Sequence, residues 1–133
     1  MAWTSEIDPP HRLIYTRVAG PLRFADAVAH RIALAADPRF DRAFCHVLDL
    51  EGVASIELTT DEVVRLAAHS VLSAPARQAI VASADVVFGV ARMYDAYRES
   101  NPRRENIVVC RSMFEAYLRL GLDRFSDDTG NGT

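Results

Sequence analysis

The 133-residue sequence contains no lysine, only two cysteines and no long uninterrupted apolar segment. Its fifteen basic residues are all arginine, and eighteen acidic residues leave a net charge of −3. Binding to a nucleic-acid backbone requires a clustered basic face, so the acidic balance argues against a nucleic-acid partner. A transmembrane helix needs about 20 consecutive apolar residues, and we therefore expect no membrane insertion.

Motifs for metal binding and nucleophilic catalysis are also missing. The four histidines show no HxH, HExxH or Cys–His spacing of a zinc site. Cys45 and Cys110 form no CxxC pair and lie in or beside apolar runs, which predicts buried free thiols. Ser83 lacks the GxSxG context of a hydrolase nucleophile. We expect no metal, no cofactor and no enzymatic activity.

The composition is that of an ordinary globular domain, with half of the residues apolar and a quarter charged. A chain of this length fits one domain, which we place at residues 1–122, with a frayed tail over residues 123–133. The first residues lack the basic segment and apolar core of a secretory signal. We therefore expect a cytoplasmic protein.

The clearest structural pattern lies in residues 78–97. The apolar run Ala79–Ala82 predicts a short buried strand, and the polar residues that follow it predict a tight turn. The next apolar residues recur at helical spacing and predict an amphipathic helix; they are Val86, Val87, Val90, Met93, Tyr94 and Tyr97. Much of the remaining chain repeats this strand–helix unit.

The amino-terminal residues predict a hairpin. Extended segments at residues 3–7 and 12–18 flank the turn signal Asp8-Pro9-Pro10, and the prolines favour an edge position for the first strand. We expect Gly20-Pro21 to end the second strand.

The first helix is predicted over residues 23–36, and Asp37-Pro38 ends it because a residue before proline disfavours helical dihedrals. Its apolar stripe consists of Phe24, Ala25, Val28, Ala29, Ile32, Ala33 and Ala36. The next strand is expected at residues 44–50, followed by a turn at Glu51-Gly52.

Two capping boxes predict the starts of further helices. Thr59 precedes Glu62 by three residues, and Ser112 precedes Glu115 by the same interval. With a last strand at residues 107–110, the order is ββαβαβαβα. This alternation predicts a single α/β domain with a mainly parallel sheet of four to five strands and an amino-terminal antiparallel hairpin. If the strands lie in nearly sequential order, right-handed crossovers place the helices mainly on one face.

Four segments carry a resemblance to a known family. They are Asp37-Pro38-Arg39-Phe40, the strand VLDLEGV containing Asp49, the helix start Leu58-Thr59-Thr60-Asp61-Glu62, and SADVVFGVARMY from Ser83. Together they resemble the SpoIIAA-like, STAS-related proteins over about residues 10–121. The resemblance implies a strand–helix superhelix related in shape to anti-sigma-factor antagonists.

The antagonists carry a phosphorylatable serine in an Asp-Ser-Ser-Gly-like turn at the helix start after the Asp-containing strand. That motif is absent here, and the corresponding helix start holds Thr59 and Thr60. Exposed amides at the helix start would stabilise a phosphate, whereas Glu57, Asp61 and Glu62 oppose one. Thr59 and Thr60 are the candidate phosphorylation sites, with capping as the alternative role of Thr59.

A candidate ligand or partner site is predicted around the central helix and the preceding strand ends. Its members are Asp49, Ser83, Asp85, Gly89, Arg92 and Met93. Asp49 and Glu51 form a possible carboxylate pair, although carboxylates near a strand end also hold loop amides. Asp85 in a first helical turn is placed to cap amides.

Gly89 and Arg92 lie inside the predicted central helix. Because glycine costs about 1 kcal/mol there relative to alanine, we expect a neighbouring element or a ligand to approach Gly89 closely. Arg92 is expected to pair with Asp49 or Asp95, or to meet an anion. Met and Tyr in the stripe suit either a core or an adaptable apolar pocket.

Two functions remain open. The first is a non-enzymatic, STAS-like regulatory module for protein–protein interaction, which forms a homodimer through a sheet or helix face. The second is a carrier or sensor of a small apolar or amphipathic, lipid-like ligand. We expect such a ligand between the second and third helices, with its polar end near the carboxyl ends of the strands.

Overall fold

The computed structural model describes residues 3–73, 76–101 and 105–122; the tail predicted at residues 123–133 lies outside them. The described elements follow the order ββαβαβαβα, with a short 3-10 turn at Pro9–His11 between the first two strands. They are β1 (Trp3–Asp8), β2 (Leu13–Arg23), α1 (Phe24–Ala36), β3 (Cys45–Glu57), α2 (Thr60–Ala68), β4 (Arg77–Val81), α3 (Asp85–Arg98), β5 (Asn106–Cys110) and α4 (Met113–Leu120).

The strands form one sheet in sequential order, β1–β2–β3–β4–β5. β1 runs antiparallel to β2, from Trp3 opposite Val18 to Asp8 opposite Leu13. The other three pairs are parallel. The predicted α/β class and the mainly parallel sheet with an amino-terminal antiparallel hairpin are confirmed.

Helices cover both faces of the sheet, three on one face and one on the other. Side chains alternate along a strand, so Ile80 packs with Val87 and Ala91 of α3, while Val81 packs with Ala116 of α4. α1 and α2 lie on the α3 side, where they share a cavity lining with it. The prediction of helices mainly on one face is correct for α1–α3.

β2 and β3 both continue past their predicted ends. β2 runs through Gly20-Pro21 to Arg23, and β3 runs through Glu51-Gly52 to Glu57, so neither dipeptide ends a strand. The described part of β1 stops opposite Val18, and proline is tolerated where no neighbouring strand needs its N–H. A Cβ on Gly52 would lie 2.9 Å from the Val18 carbonyl oxygen, so glycine permits the close approach of the two strands.

The predicted apolar stripe of α1 is not its buried face. Ala27 and Leu34 are buried and His30 and Arg31 are half-buried beside them, whereas Ile32 is 67 % exposed. The stripe consists mostly of alanines, which contribute little apolar area, while the two polar residues find hydrogen-bond partners on the inner side. The helix is therefore rotated from the orientation that hydrophobicity alone predicts.

Of the two predicted capping boxes, the first is complete and the second is half formed. Thr59 and Glu62 form a complete capping box: the Thr59 side chain accepts from the Glu62 amide at 3.1 Å, and the Glu62 carboxylate accepts from the Thr59 amide at 3.0 Å. Ser112 likewise accepts from the Glu115 amide at 3.1 Å, but the Glu115 carboxylate accepts from the amide of Arg111 instead.

A buried ion pair joins the end of α3 to the residue before β5. Arg98 and Glu105 are both almost fully buried and bond directly through Arg98 Nη2 and Glu105 Oε1. Arg98 also donates to the carbonyl of Ala67 at 2.8 Å, and Ser70 Oγ donates to Glu105 Oε2 at 3.0 Å. The pair therefore ties the carboxyl end of α2 to α3 and β5.

Cys45 and Cys110 are buried free thiols, as predicted. Burial raises the pKa of both, and that of Cys110 reaches about 11, so both sulfurs remain protonated at neutral pH. Among the described residues, no helix combines the length and apolarity required to span a membrane.

Candidate functional site

A cavity of about 100 Å³ lies between the sheet and helices α1–α3. Most of its wall is apolar and includes Leu48, Leu50, Val63, Leu66, Ile80 and Ala91. The polar side chains in the wall are Trp3, His30, Arg31, His46, Ser70, Gln78 and Tyr94, and none of the described residues that line it is acidic. An apolar cavity of about 150 Å³ can hold benzene, and this cavity has about two-thirds of that volume.

A chain of hydrogen bonds runs from the cavity wall to the edge strand. Gln78 Nε2 lies 3.0 Å from His46 Nδ1, and His46 Nε2 lies 2.9 Å from Thr16 Oγ1. Thr16 Oγ1 lies 2.8 Å from Ser5 Oγ, which is 2.6 Å from His30 Nε2. With the Gln78 amide donating to Nδ1, His46 carries its proton on Nε2 and donates to Thr16.

Two buried polar atoms of wall residues have no hydrogen-bond partner among the described residues. Gln78 is 5 % exposed, and no described residue bonds its Oε1. The same holds for the buried indole Nε1 of Trp3. Buried polar groups are ordinarily hydrogen-bonded, so these two atoms are exceptions to that rule.

Arg31 of α1 lies in the cavity wall, and hydrogen bonds fix the position of its guanidinium. Nη1 donates to the carbonyl oxygens of Leu66 at 2.8 Å and His69 at 2.6 Å, and Nη2 donates to the Tyr94 hydroxyl at 2.9 Å. The guanidinium therefore holds the carboxyl end of α2 against α1 and α3.

Both histidines of the wall are neutral at pH 7. Burial, followed by electrostatic repulsion from His30 and Arg31, lowers the pKa of His46 from 6.5 to about 3. Burial and then Arg31 also lower the pKa of His30. Neutral imidazoles can both donate and accept, which the hydrogen-bond chain requires.

Asp49 lies on the other face of the sheet. Its carboxylate accepts from the Tyr15 hydroxyl at 2.6 Å and from the Glu51 amide at 2.9 Å. Asp49 therefore binds a nearby backbone amide, which was one of its two predicted roles. Burial first, and then the bond to Asp49, raise the pKa of Tyr15. Asp49 packs toward the α4 side with Tyr117, so the expected pair with Arg92 of α3 is not formed.

Ser83 and Asp85 follow the carboxyl end of β4, beside Glu51 in the middle of β3. The Glu51 carboxylate accepts from the Ser83 amide at 2.9 Å and from its hydroxyl at 2.6 Å. Asp85 pairs with Arg111 at 2.8 Å and makes no capping bond, because the residue at the N-cap is Ala84. These exposed contacts bind the loop to its neighbours.

Gly89, Arg92 and Met93 lie outside the cavity wall. A Cβ on Gly89 would meet no atom of the described residues within 4 Å, so the prediction that a neighbouring helix or strand approaches Gly89 is wrong. The Arg92 guanidinium stands 5.9 Å from the ring centre of Phe88. Of the predicted central-helix stripe, Val90 and Tyr94 reach the cavity, whereas Val86 is largely exposed.

Thr59 and Thr60 are exposed at the start of α2 and do not line the cavity. Thr59 Oγ1 is already engaged as the N-cap. Phosphorylation of either threonine stays a prediction.

Sequence reasoning missed the polar residues of the cavity, although two of them carried a signal. His46 and Gln78 each lie in the buried, mostly apolar part of a strand, at residues 45–50 of β3 and 78–81 of β4, and the β3–β4 register places them opposite one another. A polar residue in such a strand requires an internal partner. Within the described residues, no three His, Cys, Asp or Glu side chains are grouped to hold a metal ion.

Comparison with known proteins gives no assignment. No family model matches the chain, and no curated protein matches it significantly. The resemblance to STAS-related proteins therefore stays a prediction.

Proposed function

We propose that this protein binds a small, mainly apolar ligand between its sheet and helices α1–α3. The observation that carries the proposal is the cavity of about 100 Å³ with apolar walls. Its lining comes from the strands, three helices and the loop after α2, so a ligand would be enclosed on several sides. Enclosure in a mostly apolar space with a few polar groups is typical of small-molecule sites.

The size of the cavity narrows the ligand class. Drug-sized ligands occupy roughly 300–1,000 Å³, so the available volume favours one ring or a short aliphatic chain over a long lipid chain. The polar wall residues His46 and Gln78 are the second residues of β3 and β4. The polar end of the ligand would therefore lie near the amino ends of these strands, opposite to the sequence-based expectation.

A titration with toluene tests the proposal. We expect toluene at ten times its Kd to stabilise the fold by about 1.4 kcal/mol, which raises Tm by roughly 4 °C. Ala91→Leu fills the cavity and should abolish this shift. Ala96→Leu, on the exposed side of the same helix, is the matched control and should retain it. No shift with toluene or with cyclohexane would contradict the proposal.

Protein–protein interaction through a STAS-like superhelix is the second candidate function. The observation in its favour is an apolar ridge on α4, where Phe114 and Leu118 lie one turn apart and are 71 % and 65 % exposed. Exposed apolar patches mark interaction sites when they are contiguous. In this proposal the protein is a non-enzymatic regulatory homodimer.

The subunit count by native mass spectrometry tests the second candidate. A dimer that Phe114→Ser with Leu118→Ser converts to a monomer supports it. Val86→Ser changes an equally exposed apolar residue on α3 and should leave the dimer intact. A monomer at all concentrations would refute self-association through this ridge.

A further inference from the structure

Arg31 is the only formally charged side chain among the described residues that line the cavity. None of the ion pairs that the described residues form includes it. Its hydrogen bonds go to the carbonyl oxygens of Leu66 and His69 and to the Tyr94 hydroxyl, which are all neutral acceptors. The carboxyl end of a helix supplies only about half a negative charge, so α2 neutralises the guanidinium only in part.

The rest of this positive charge acts on the cavity. Burial is the main cause of the lowered pKa values of His30 and His46, and repulsion from Arg31 contributes to both. Both imidazoles line the same cavity. The charge that disfavours their protonation would attract a carboxylate beside them, whereas it would repel an amine. The electrostatics of the wall therefore favours an anion over a cation of the same shape.

Arg31 and Tyr94 meet in one polar part of the wall. Arg31 Nη2 donates to the Tyr94 hydroxyl at 2.9 Å, and both side chains are half-buried. Because the hydroxyl oxygen accepts this bond, its own hydrogen can turn to another acceptor. His69, which accepts from the same guanidinium, is exposed, so this part of the wall lies near the surface. A carboxylate there keeps part of its hydration and avoids the full cost of burying a charge.

We propose that the ligand is a small monocarboxylate, whose carboxylate pairs with Arg31 and accepts from the Tyr94 hydroxyl while its short apolar chain fills the cavity. This inference rests on the proposed ligand-binding function. The cavity of about 100 Å³ favours a chain of only a few carbons. Arg31 bonds to the carboxyl end of α2, and a crossover helix ends near the start of the next parallel strand. The carboxylate therefore lies toward the amino end of β4, the position proposed for the polar end of the ligand.

Affinities for butyrate, butanol and butylamine, measured by calorimetry at pH 7, test the inference. The three probes share one carbon chain and differ in charge. We expect butyrate to bind about tenfold more tightly than butanol, because charge-assisted hydrogen bonds are about twice as strong as neutral ones. Butylamine should bind more weakly than butanol. Butyrate affinity equal to or below that of butanol would overturn the inference, and so would tighter binding of butylamine.

Two substitutions of Arg31 separate its charge from its structural role. Arg31→Gln removes the charge and Arg31→Lys keeps it, while both lose the guanidinium bonds that hold α2. Arg31→Lys should retain a preference for butyrate over butanol, and Arg31→Gln should have none. Equal preference for butyrate in the two variants would contradict the inference.

Tyr94→Phe provides the test if neither Arg31 variant folds. It removes the hydroxyl but keeps the ring, and it should weaken butyrate binding about fivefold. Tyr97→Phe, on the same helix but outside the cavity wall, is the matched control and should leave the affinity unchanged. Unchanged butyrate affinity in Tyr94→Phe would overturn the inference. Toluene binding without a preference for butyrate refutes this inference alone, whereas a parent protein that binds neither toluene nor butyrate refutes the underlying function.

Discussion

Acidification from pH 7 to pH 4.5 should destabilise the protein through His46. The groups around this imidazole are Thr16 from β2, Gln78 from β4, and His30 and Arg31 from α1. None of them is acidic, so none stabilises an added proton. The pKa of His46 is about 3 in the folded protein, against 6.5 for the ordinary side chain. Between these values the unfolded chain binds a proton that the native protein does not.

The sign and the size of the effect follow from that difference. Because the folded pKa is the lower one, stability is complete above pH 6.5 and falls as the pH decreases toward 3. Each pH unit within the window costs about 1.36 kcal/mol, so the change from pH 7 to pH 4.5 removes about 2.5 kcal/mol. The lowered pKa of His30 adds a loss in the same direction. Small domains have only about 5–15 kcal/mol of stability, so the loss is readily measured.

Urea unfolding at the two pH values, followed by circular dichroism, measures this loss. His46→Gln retains hydrogen-bonding groups but does not titrate. Over the same pH interval, the variant should therefore lose less free energy of unfolding than the parent protein, and the difference between the two losses should be about 2.5 kcal/mol. His69→Gln removes an exposed histidine and serves as the control. If His46→Gln and the parent lose the same free energy, the imidazole is not held neutral by burial and the reasoning fails.

Three further substitutions give expected changes in the free energy of unfolding, measured by the same urea titration. Gly89→Ala should stabilise the protein by about 1 kcal/mol, since its Cβ meets no atom within 4 Å; a loss of stability would show that another residue approaches α3. Gly52→Ala should destabilise it by about 1–3 kcal/mol, because its Cβ would lie 2.9 Å from the Val18 carbonyl oxygen; a neutral result would show that β2 and β3 can separate there. Glu105→Ala should lower the free energy of unfolding by about 3–5 kcal/mol, because it leaves Arg98 buried without its carboxylate partner. The double variant Arg98→Met with Glu105→Leu should lower it much less. Equal losses in the two variants would contradict this account.

The elements of the fold were predictable because local patterns determine them. The capping box at Thr59 and the helical period of α3 depend only on residues close in sequence. The strand ends were not predictable in this way. β2 continues past Pro21 and β3 continues past Gly52 because the two strands pair with each other there. These hydrogen bonds form only when the two strands come together in the folded protein. Local turn signals were therefore overridden by tertiary contact.

The candidate site was less predictable, because its parts come from distant segments. Sequence reasoning places the polar end of a ligand near the carboxyl ends of the strands, where parallel sheets commonly bind ligands, and Ser83 and Asp85 follow the end of β4. In the structure those two side chains contact Glu51 and Arg111, whereas the cavity is lined by other residues that include His46 and Gln78. The sequence did not predict that His30 faces inward. The apolar stripe of α1 predicts that the opposite face of the helix is buried.

The sequential order of the strands has a consequence for synthesis on the ribosome. Each strand pairs with the one made just before it, and the residues that line the cavity run from Trp3 to Tyr94. A nascent chain can therefore complete the cavity wall before β5 and α4 emerge, since domains begin to form from the amino terminus. At that stage the buried apolar strand β4 has an open edge, which is prone to aggregation. A ligand already bound would stabilise this intermediate until the last strand closes the sheet.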